Sequence, residues 1–212
     1  VVLNEKKELI LEFVQPTGWS SVDTAEEIRQ KLEFAGINLS NESSHCVATG
    51  YGRISVPYAD KTVTEITCHA LGAVHLFQHP DLTVIDIGGQ DTKIIQIEQG
   101  FVKDFIMNDK CAAGTGRFLE VMANTLSLRP NEMFDLARLG SDTTISSMCT
   151  VFAESEVIGL IGKGEPKENI AYAVVNSTIR KVAAQVSRMN GEMFTFCLTG
   201  GLCECDYIRE AL

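Results

Sequence analysis

The chain has 212 residues, which allows one large domain or two small ones with a substantial buried core. Its formal net charge is −10, and no cluster of Lys and Arg supplies the basic face that a nucleic acid needs. No apolar run approaches the roughly 20 residues of a membrane span, and the first residues carry no export signal. We therefore expect neither a nucleic-acid partner nor a membrane span.

Seven cysteines are spread widely along the chain. A chain of this size does not need disulfides, so the odd number favours a reducing cytoplasm, with thiols available for packing or for metal binding. Free cysteine is among the most buried residue types, which predicts apolar packing for four of the seven. These are Cys46, Cys68, Cys197 and Cys203, and Cys203 is ambiguous with Cys205.

Residues 1–82 are predicted to form a first α/β lobe. The segments VVL and ELILEFV, joined by the turn NEKK, read as a hairpin. A helix (22–35), a strand (45–49) and a helix (61–77) follow. The second half of the chain has a similar order of elements, but it begins with three strands where this half begins with two. The strand missing here would carry a glycine turn like the one in the second half. We therefore expect the first lobe to be incomplete.

Residues 83–212 are predicted to form the second lobe. Three runs rich in β-branched and aromatic residues are separated by Gly-Gly-Gln and Gln-Gly turns, which predicts three strands at 83–89, 91–99 and 100–108. Helical patterns follow at 114–126, 130–139, 150–162 and 166–190, then a strand at 193–199 and a final helix. No long linker separates the halves, so we expect two packed lobes with a cleft between them.

The stretch DIGGQDTK predicts a phosphate site. Paired glycines let the backbone turn tightly and approach a ligand. The flanking polar and charged side chains suit a phosphate chain with Mg²⁺ held by carboxylates. An ordinary structural hairpin gives the same pattern. The residues concerned are Asp86, Gly88, Gly89, Gln90, Asp91 and Lys93.

A second strand also ends in a glycine pair, in LTGG, with Thr199, Gly200 and Gly201. Two such elements would clamp one nucleotide. Neither is a Walker loop, because no GxxxxGK[ST] occurs, and neither is a GxGxxG fingerprint. The pair therefore favours a nucleotide site of another class.

Two cysteines, Cys111 in NDKCAAGTGRFLE and Cys149 in SSMCTVFAESEV, each precede a predicted helix. The positive helix end would stabilise a thiolate or an anionic cluster. An iron–sulfur cubane or a structural zinc usually takes four ligands, whereas one chain offers two of this kind. A twofold dimer that shares one cluster would supply four. Two buried thiols at helix starts remain the alternative.

The segments VIDIGGQDTKII, NDKCAAGTGRFLEVMANTL, CTVFAESEVI, ATGYGR and LTGG resemble the ATP-dependent activators of 2-hydroxyacyl-CoA dehydratases, a family that includes the ATPase components of benzoyl-CoA reductase. The resemblance implies an α/β, two-lobed fold of the actin, hexokinase and acetate-kinase type, which is ribonuclease H-like. It also implies ATP, ADP and Mg²⁺ as ligands, and a homodimer with one [4Fe–4S] cluster held by Cys111 and Cys149 of each copy.

The same resemblance implies an ATPase that transfers an electron to a cluster-containing dehydratase or reductase, after receiving it from a donor such as ferredoxin or flavodoxin. DIGGQD would be the second phosphate-binding hairpin, with Gln90 and Asp91 in the catalytic role, and TGG would be the adenosine-side glycines. Members of the family open with a first phosphate hairpin and end with a further glycine-rich element, and neither occurs here. We therefore expect this chain to bind ATP weakly.

Two other functions stay open at this point. A small-molecule kinase of the same fold would carry a catalytic Asp between its lobes, and the chain offers no clear motif for a second substrate. A metal-bridged dimer without enzymatic activity, such as a redox sensor or a zinc module, would use the same two cysteines. The metal content of the protein separates the three.

Overall fold

The computed structural model describes residues 1–108, 110–146, 149–189 and 195–212. They form two compact units, Val1–Cys68 and His69–Leu212. No helix within these described ranges is long and apolar enough to cross a membrane. The assignment of lobes to residues 1–82 and 83–212 stays a prediction.

The first unit contains short strands and one long helix. Its elements are β1 (Val2–Leu3), β2 (Leu9–Leu11), α1 (Ser21–Phe34), β3 (Val47–Ala48), a 3-10 helix (Tyr51–Ser55), β4 (Lys61–Thr62) and the start of α2 (Glu65–Phe77). The predicted hairpin is present as the antiparallel pair β1 and β2. The Ser20 side chain accepts a hydrogen bond from the Asp23 N–H, which fixes the start of α1. The helix predicted from residue 61 is wrong at its start, because β4 pairs with β3.

The second unit is a four-stranded sheet with helices. Its elements after α2 are β5 (Leu82–Ile87), β6 (Thr92–Glu98), β7 (Phe101–Asn108), α3 (Gly116–Thr125), α4 (Pro130–Ala137), α5 (Thr150–Gly162), α6 (Lys167–Val186), β8 (Thr195–Thr199) and α7 (Asp206–Ala211). The strand order is β7-β6-β5-β8, with β8 parallel to β5 and the other pairs antiparallel. Every predicted element of this part is present, although the first residues of the strand predicted at 193–199 lie outside the described residues.

The core of this unit lies between the sheet and the helices. Side chains of β5 and β6, among them Ile87 and Ile94, are buried together with Phe118 and Met122 of α3 and Val174 of α6. Every residue of β5 is buried, as are all but the last residue of β6. Burial on both faces holds the turn between these two strands on a rigid support.

The cysteines predicted to pack in the core differ in burial. Cys197 is buried in β8, and this burial raises the pKa of its thiol to about 11, so it stays protonated at neutral pH. Cys46, Cys68 and Cys203 are only half-buried, so their predicted apolar packing is incomplete. Burial, followed by the nearby Asp60 charge, also raises the pKa of Cys46.

Candidate active site

The glycine turn connects the ends of β5 and β6. The Gly88 N–H donates to the Asp91 carbonyl at 2.9 Å and closes a four-residue turn. A Cβ at Gly88 would lie 3.1 Å from that carbonyl oxygen and 3.2 Å from Asp91 Oδ1, so glycine fits this position best. Gln90 is exposed at the tip, as a residue that contacts a ligand must be.

The start of α3 lies directly on this turn. The Gly116 N–H donates to the Gly88 carbonyl at 2.9 Å, and the Arg117 N–H donates to the Gly89 carbonyl at 2.7 Å. A Cβ at Gly116 would lie 3.2 Å from the Gly89 Cα, which shows how close the two backbones are. Two of the N–H groups that usually stay unpaired at a helix start are thus already used. These two N–H groups hold the turn in place and are not available to donate to a phosphate.

A network of buried charges lies behind the turn. Lys93 Nζ is 2.6 Å from Asp91 Oδ1 and 3.4 Å from Asp86 Oδ2, and all three residues are less than one-tenth exposed. From the sequence, Lys93 was predicted to be a cation for the phosphates. The structure places it between two carboxylates, where its charge offsets theirs. The buried charges are therefore paired, as their removal from water demands.

His69, which no sequence motif singled out, contacts this network. Its Nε2 atom is 2.8 Å from Thr199 Oγ1, which donates to Asp86 Oδ1 at 3.0 Å. A hydroxyl has one proton, so the Thr199 oxygen must accept the Nε2–H of His69. Asp86 and Thr199 lie next to each other because they are paired residues of the parallel strands β5 and β8.

Gly200 brings the TGG segment against the end of β5. Its φ angle is +85°, in the left-handed region that favours glycine. A Cβ there would lie 2.5 Å from the Ile87 carbonyl oxygen and 2.8 Å from Asp86 Oδ1. The two glycine-containing segments that the sequence singled out are therefore adjacent in space.

Replacing Gly200 with alanine should lower the free energy of unfolding by about 2–4 kcal/mol, through left-handed strain and the close contact with Ile87. Urea denaturation followed by circular dichroism measures this change. The matched control is Gly201→Ala, because an added Cβ at Gly201 meets nothing within 4 Å. We expect the control to change stability by less than about 1 kcal/mol. Equal losses in the two variants would contradict the prediction.

A cavity of about 410 Å³ opens in front of the glycine turn, within the size range of small-molecule sites. It brings together three predicted residues, Gly88, Gly89 and Gly201. Most of the rest of its wall comes from α3 and α4, and these residues were not predicted from the sequence. Polar side chains there are Arg117, Glu120, Asn124 and Arg129. Helical periodicity alone could have indicated that Arg117, Glu120 and Asn124 share a face of α3.

A second cavity of about 490 Å³ shares lining residues with the first, including Phe134, Gly201 and Leu202. Cys205 and Tyr207 also line it. Arg138 lies over the Tyr207 ring, 5.4 Å from its centre. The two cavities together offer an elongated site that begins at the glycine turn.

The loop that carries Cys111 is fixed by hydrogen bonds to the sheet. Asn108 Nδ2 donates to the carbonyls of Cys111 and Ala113, both at 2.9 Å. The buried Thr92 hydroxyl donates to the Gly114 carbonyl at 2.6 Å. Cys111 itself is half-buried, and four residues separate it from α3. Cys111 therefore precedes α3, as predicted, but it lies outside the first turn, where the field of a helix end would stabilise a thiolate.

Cys149 is exposed and occupies the N-cap position of α5, as the sequence predicted. Outside residues 109, 147–148 and 190–194, no group of three or more His, Cys, Asp or Glu side chains is placed to hold a metal ion. The described part of one chain therefore supplies no complete metal site. A four-thiolate cluster would fit only if a second copy added its own two cysteines.

The sequence profile of the BadF/BadG/BcrA/BcrD ATPase family matches residues 1–212. The chain belongs to this family. Membership confirms the resemblance that the sequence motifs indicated, and it implies ATP, ADP and Mg²⁺ as ligands.

Several named proteins are similar in sequence to this chain along most of its length. The (R)-2-hydroxyglutaryl-CoA dehydratase activating ATPase of Acidaminococcus fermentans is 42% identical over 217 aligned positions, which cover 100% of this chain and 81% of that protein. The activator of lactoyl-CoA dehydratase of Anaerotignum propionicum is 41% identical over 204 positions, covering 95% and 78%. One of the subunits of benzoyl-CoA reductase from Thauera aromatica is 31% identical, covering 81% and 60%.

Two solved structures share the fold. Component A of the Acidaminococcus fermentans (R)-2-hydroxyglutaryl-CoA dehydratase matches with a TM-score of 0.77 and 41% identity, covering 92% of this chain and 75% of that one. The 2-hydroxyisocaproyl-CoA dehydratase activator of Clostridium difficile, solved with bound ADPNP, matches with a TM-score of 0.73 and 36% identity, covering 92% and 71%. The predicted α/β fold of the actin and hexokinase type is confirmed.

Proposed function

We propose that the protein is an ATP-hydrolysing activator that carries a [4Fe–4S] cluster between two copies of the chain. It transfers a low-potential electron to a partner enzyme, such as a 2-hydroxyacyl-CoA dehydratase or benzoyl-CoA reductase. The observation that carries this proposal is the short connection between the two sites. The helix that follows the Cys111 loop begins with hydrogen bonds to Gly88 and Gly89 of the glycine turn. The names of the relatives support the class of partner.

The nucleotide would lie in the cavity before the glycine turn, with its phosphates near Gly88 and Gly89. Asp86 uses both carboxylate oxygens within the network, one with Thr199 and one with Lys93. Asp91 uses Oδ1 for Lys93, while its Oδ2 makes no hydrogen bond to another described residue. Of the two carboxylates in this network, Asp91 would therefore be the one with an oxygen left for a water of the Mg²⁺ shell. The exposed Gln90 would orient the attacking water.

The thiolates of Cys111 and Cys149 would hold the cluster, which when bound supplies one-electron reduction at low potential. Two copies of the chain are needed, since the described residues of one chain offer no group of three ligands. Asn108 and Thr92 keep the Cys111 loop in place through its carbonyls. A change at the turn would reach this loop through α3, so nucleotide state and cluster surroundings would be linked.

Anaerobic purification followed by metal, sulfide and mass analysis tests the proposal. We expect a dimer with about four iron and four sulfide ions, a visible absorption band and slow ATP hydrolysis. Zinc in place of iron would contradict the proposal and favour a metal-bridged structural dimer. A metal-free protein would contradict it and favour the small-molecule kinase.

A further inference from the structure

The second half of α6 is basic, in contrast to the acidic chain around it. Arg180 and Lys181 lie in this half, and Arg188 follows its end after two residues. No Asp or Glu occurs from residue 169 to 191, although the whole chain carries 28 acidic and 18 basic residues. Arg180 and Arg188 are exposed, and Lys181 is half-buried. Arg188 lies seven positions, about two helical turns, beyond Lys181, and Arg180 lies about 100° from Lys181 around the axis, so the three cations form one basic face.

A cavity of about 300 Å³ joins this basic face to the Cys111 loop. Arg180 and Lys181 line it together with Ala113 and Gly114, which follow Cys111 closely in the chain. Gly114 has a φ angle of +88°, and a Cβ there would lie 2.8 Å from Lys181 Cγ. The aliphatic part of Lys181 therefore crosses directly over the Gly114 backbone. Since the Thr92 hydroxyl holds the Gly114 carbonyl, the cation and the loop have a fixed relation.

Helix stability alone does not explain these cations. A positive charge interacts favourably with a helix C-terminus only within the last turn. α6 ends at Val186, so Arg180 and Lys181 lie more than one turn before its end. Neither forms an ion pair within the described residues, whereas cations elsewhere do, as in Arg117–Glu120 and Arg138–Glu210. Within the described part of the chain, no carboxylate offsets their positive charge.

We propose that the basic face of Arg180, Lys181 and Arg188 docks a small acidic electron-carrier protein next to the Cys111 loop. The net charge of −10 repels an acidic partner from the rest of the surface, so this face selects one orientation of approach. The proposal rests on the proposed function. In the step that would follow docking, the carrier would lose one electron to the cluster held by Cys111 and Cys149, and no covalent bond would form or break.

Charge reversal tests this surface with a two-[4Fe–4S] ferredoxin of net negative charge as the probe. The variant is Arg180→Glu with Lys181→Glu. The matched control, Lys163→Glu with Lys167→Glu, reverses two exposed cations, and Lys167 lies about 21 Å from Lys181 along the same helix. Calorimetry at low ionic strength gives the affinity for oxidised ferredoxin, and stopped-flow absorbance gives the reduction rate by reduced ferredoxin.

We expect the variant to bind ferredoxin at least about tenfold more weakly, and the control to differ by less than about threefold. The difference should shrink in about 0.5 M salt, where charges are screened beyond a few ångströms. Reduced methyl viologen, a small radical cation, should reduce the variant no more slowly than the original protein. The neutral pair Arg180→Gln with Lys181→Gln, followed by thermal unfolding, gives a second variant if charge reversal disturbs folding.

Ferredoxin binding that is absent in the original protein, or equal in variant and control, would overturn the proposal. A slower reaction with both ferredoxin and methyl viologen would also overturn it, because the cluster and not the docking would be affected. Iron analysis separates this result from the proposed function. A protein without iron that still binds ferredoxin through this face keeps the docking surface and loses the activator assignment. A protein with full iron and no effect of charge reversal keeps the activator assignment and loses the docking surface.

Discussion

Replacing Cys111 with serine should lower the iron content from about four ions per dimer to less than about 0.5. Each dimer would lose two of its four thiolates, because both copies carry the change. Nucleotide affinity should stay within about twofold, since Cys111 does not line the cavity before the glycine turn. Metal analysis after anaerobic purification and calorimetry with ADP measure the two quantities.

The matched control for this substitution is Cys203→Ser. Cys203 is also half-buried, and it lies next to the TGG segment, outside the proposed ligand set. We expect this variant to keep its iron. Full iron in the Cys111 variant would rule out the ligand assignment, and iron loss in both variants would show that the effect is not specific to Cys111.

Replacing Lys93 with methionine should lower the free energy of unfolding by about 3–5 kcal/mol. Methionine keeps the length of the side chain but removes the charge that lies 2.6 Å from Asp91 Oδ1 and 3.4 Å from Asp86 Oδ2. Two buried carboxylates would then lose their shared cation. Urea denaturation at neutral pH measures the loss.

Lys103→Met is the matched control, on the neighbouring strand β7. Lys103 pairs with Glu98 at 2.6 Å, but these side chains are 44% and 40% exposed. Removing a surface pair of this kind should cost less than about 1 kcal/mol. Adding Asp91→Asn to the Lys93 variant should recover part of its stability, because one unpaired charge disappears. A Lys93 variant as stable as the Lys103 variant would refute this prediction.

Local signals predicted most of the second unit. The strands β5, β6 and β7 were found because their β-branched runs are separated by glycine turns, and α5 was predicted with its observed bounds of 150–162. Signals were weaker in the first unit. β4 has two residues and pairs with β3 across a 3-10 helix, so no periodic pattern marks it. Short elements that depend on a distant partner leave little trace in the local sequence.

The candidate site was predicted only in part, for a similar reason. The glycines could be identified because tight turns require them, and two structures of relatives support the fold that brings them together. The role of His69 could not be identified, because its partner Thr199 lies 130 residues away. The position of Lys93 between two carboxylates could not be predicted from the sequence either. Both faces of β6 are buried, so alternation along the strand does not tell which side chains face the ligand.

The bonds between the glycine turn and α3 use main-chain atoms alone, and this affects which substitutions the protein tolerates. Changing the side chain of Arg117 leaves its N–H and the Gly89 carbonyl in place. Proline is the exception. The first residue of a helix usually accepts proline, because its N–H has no partner there. Here that residue is Gly116, and its N–H is bonded to Gly88. Selection among descendants of this protein should therefore exclude proline at position 116, although proline is common at the first residue of other helices.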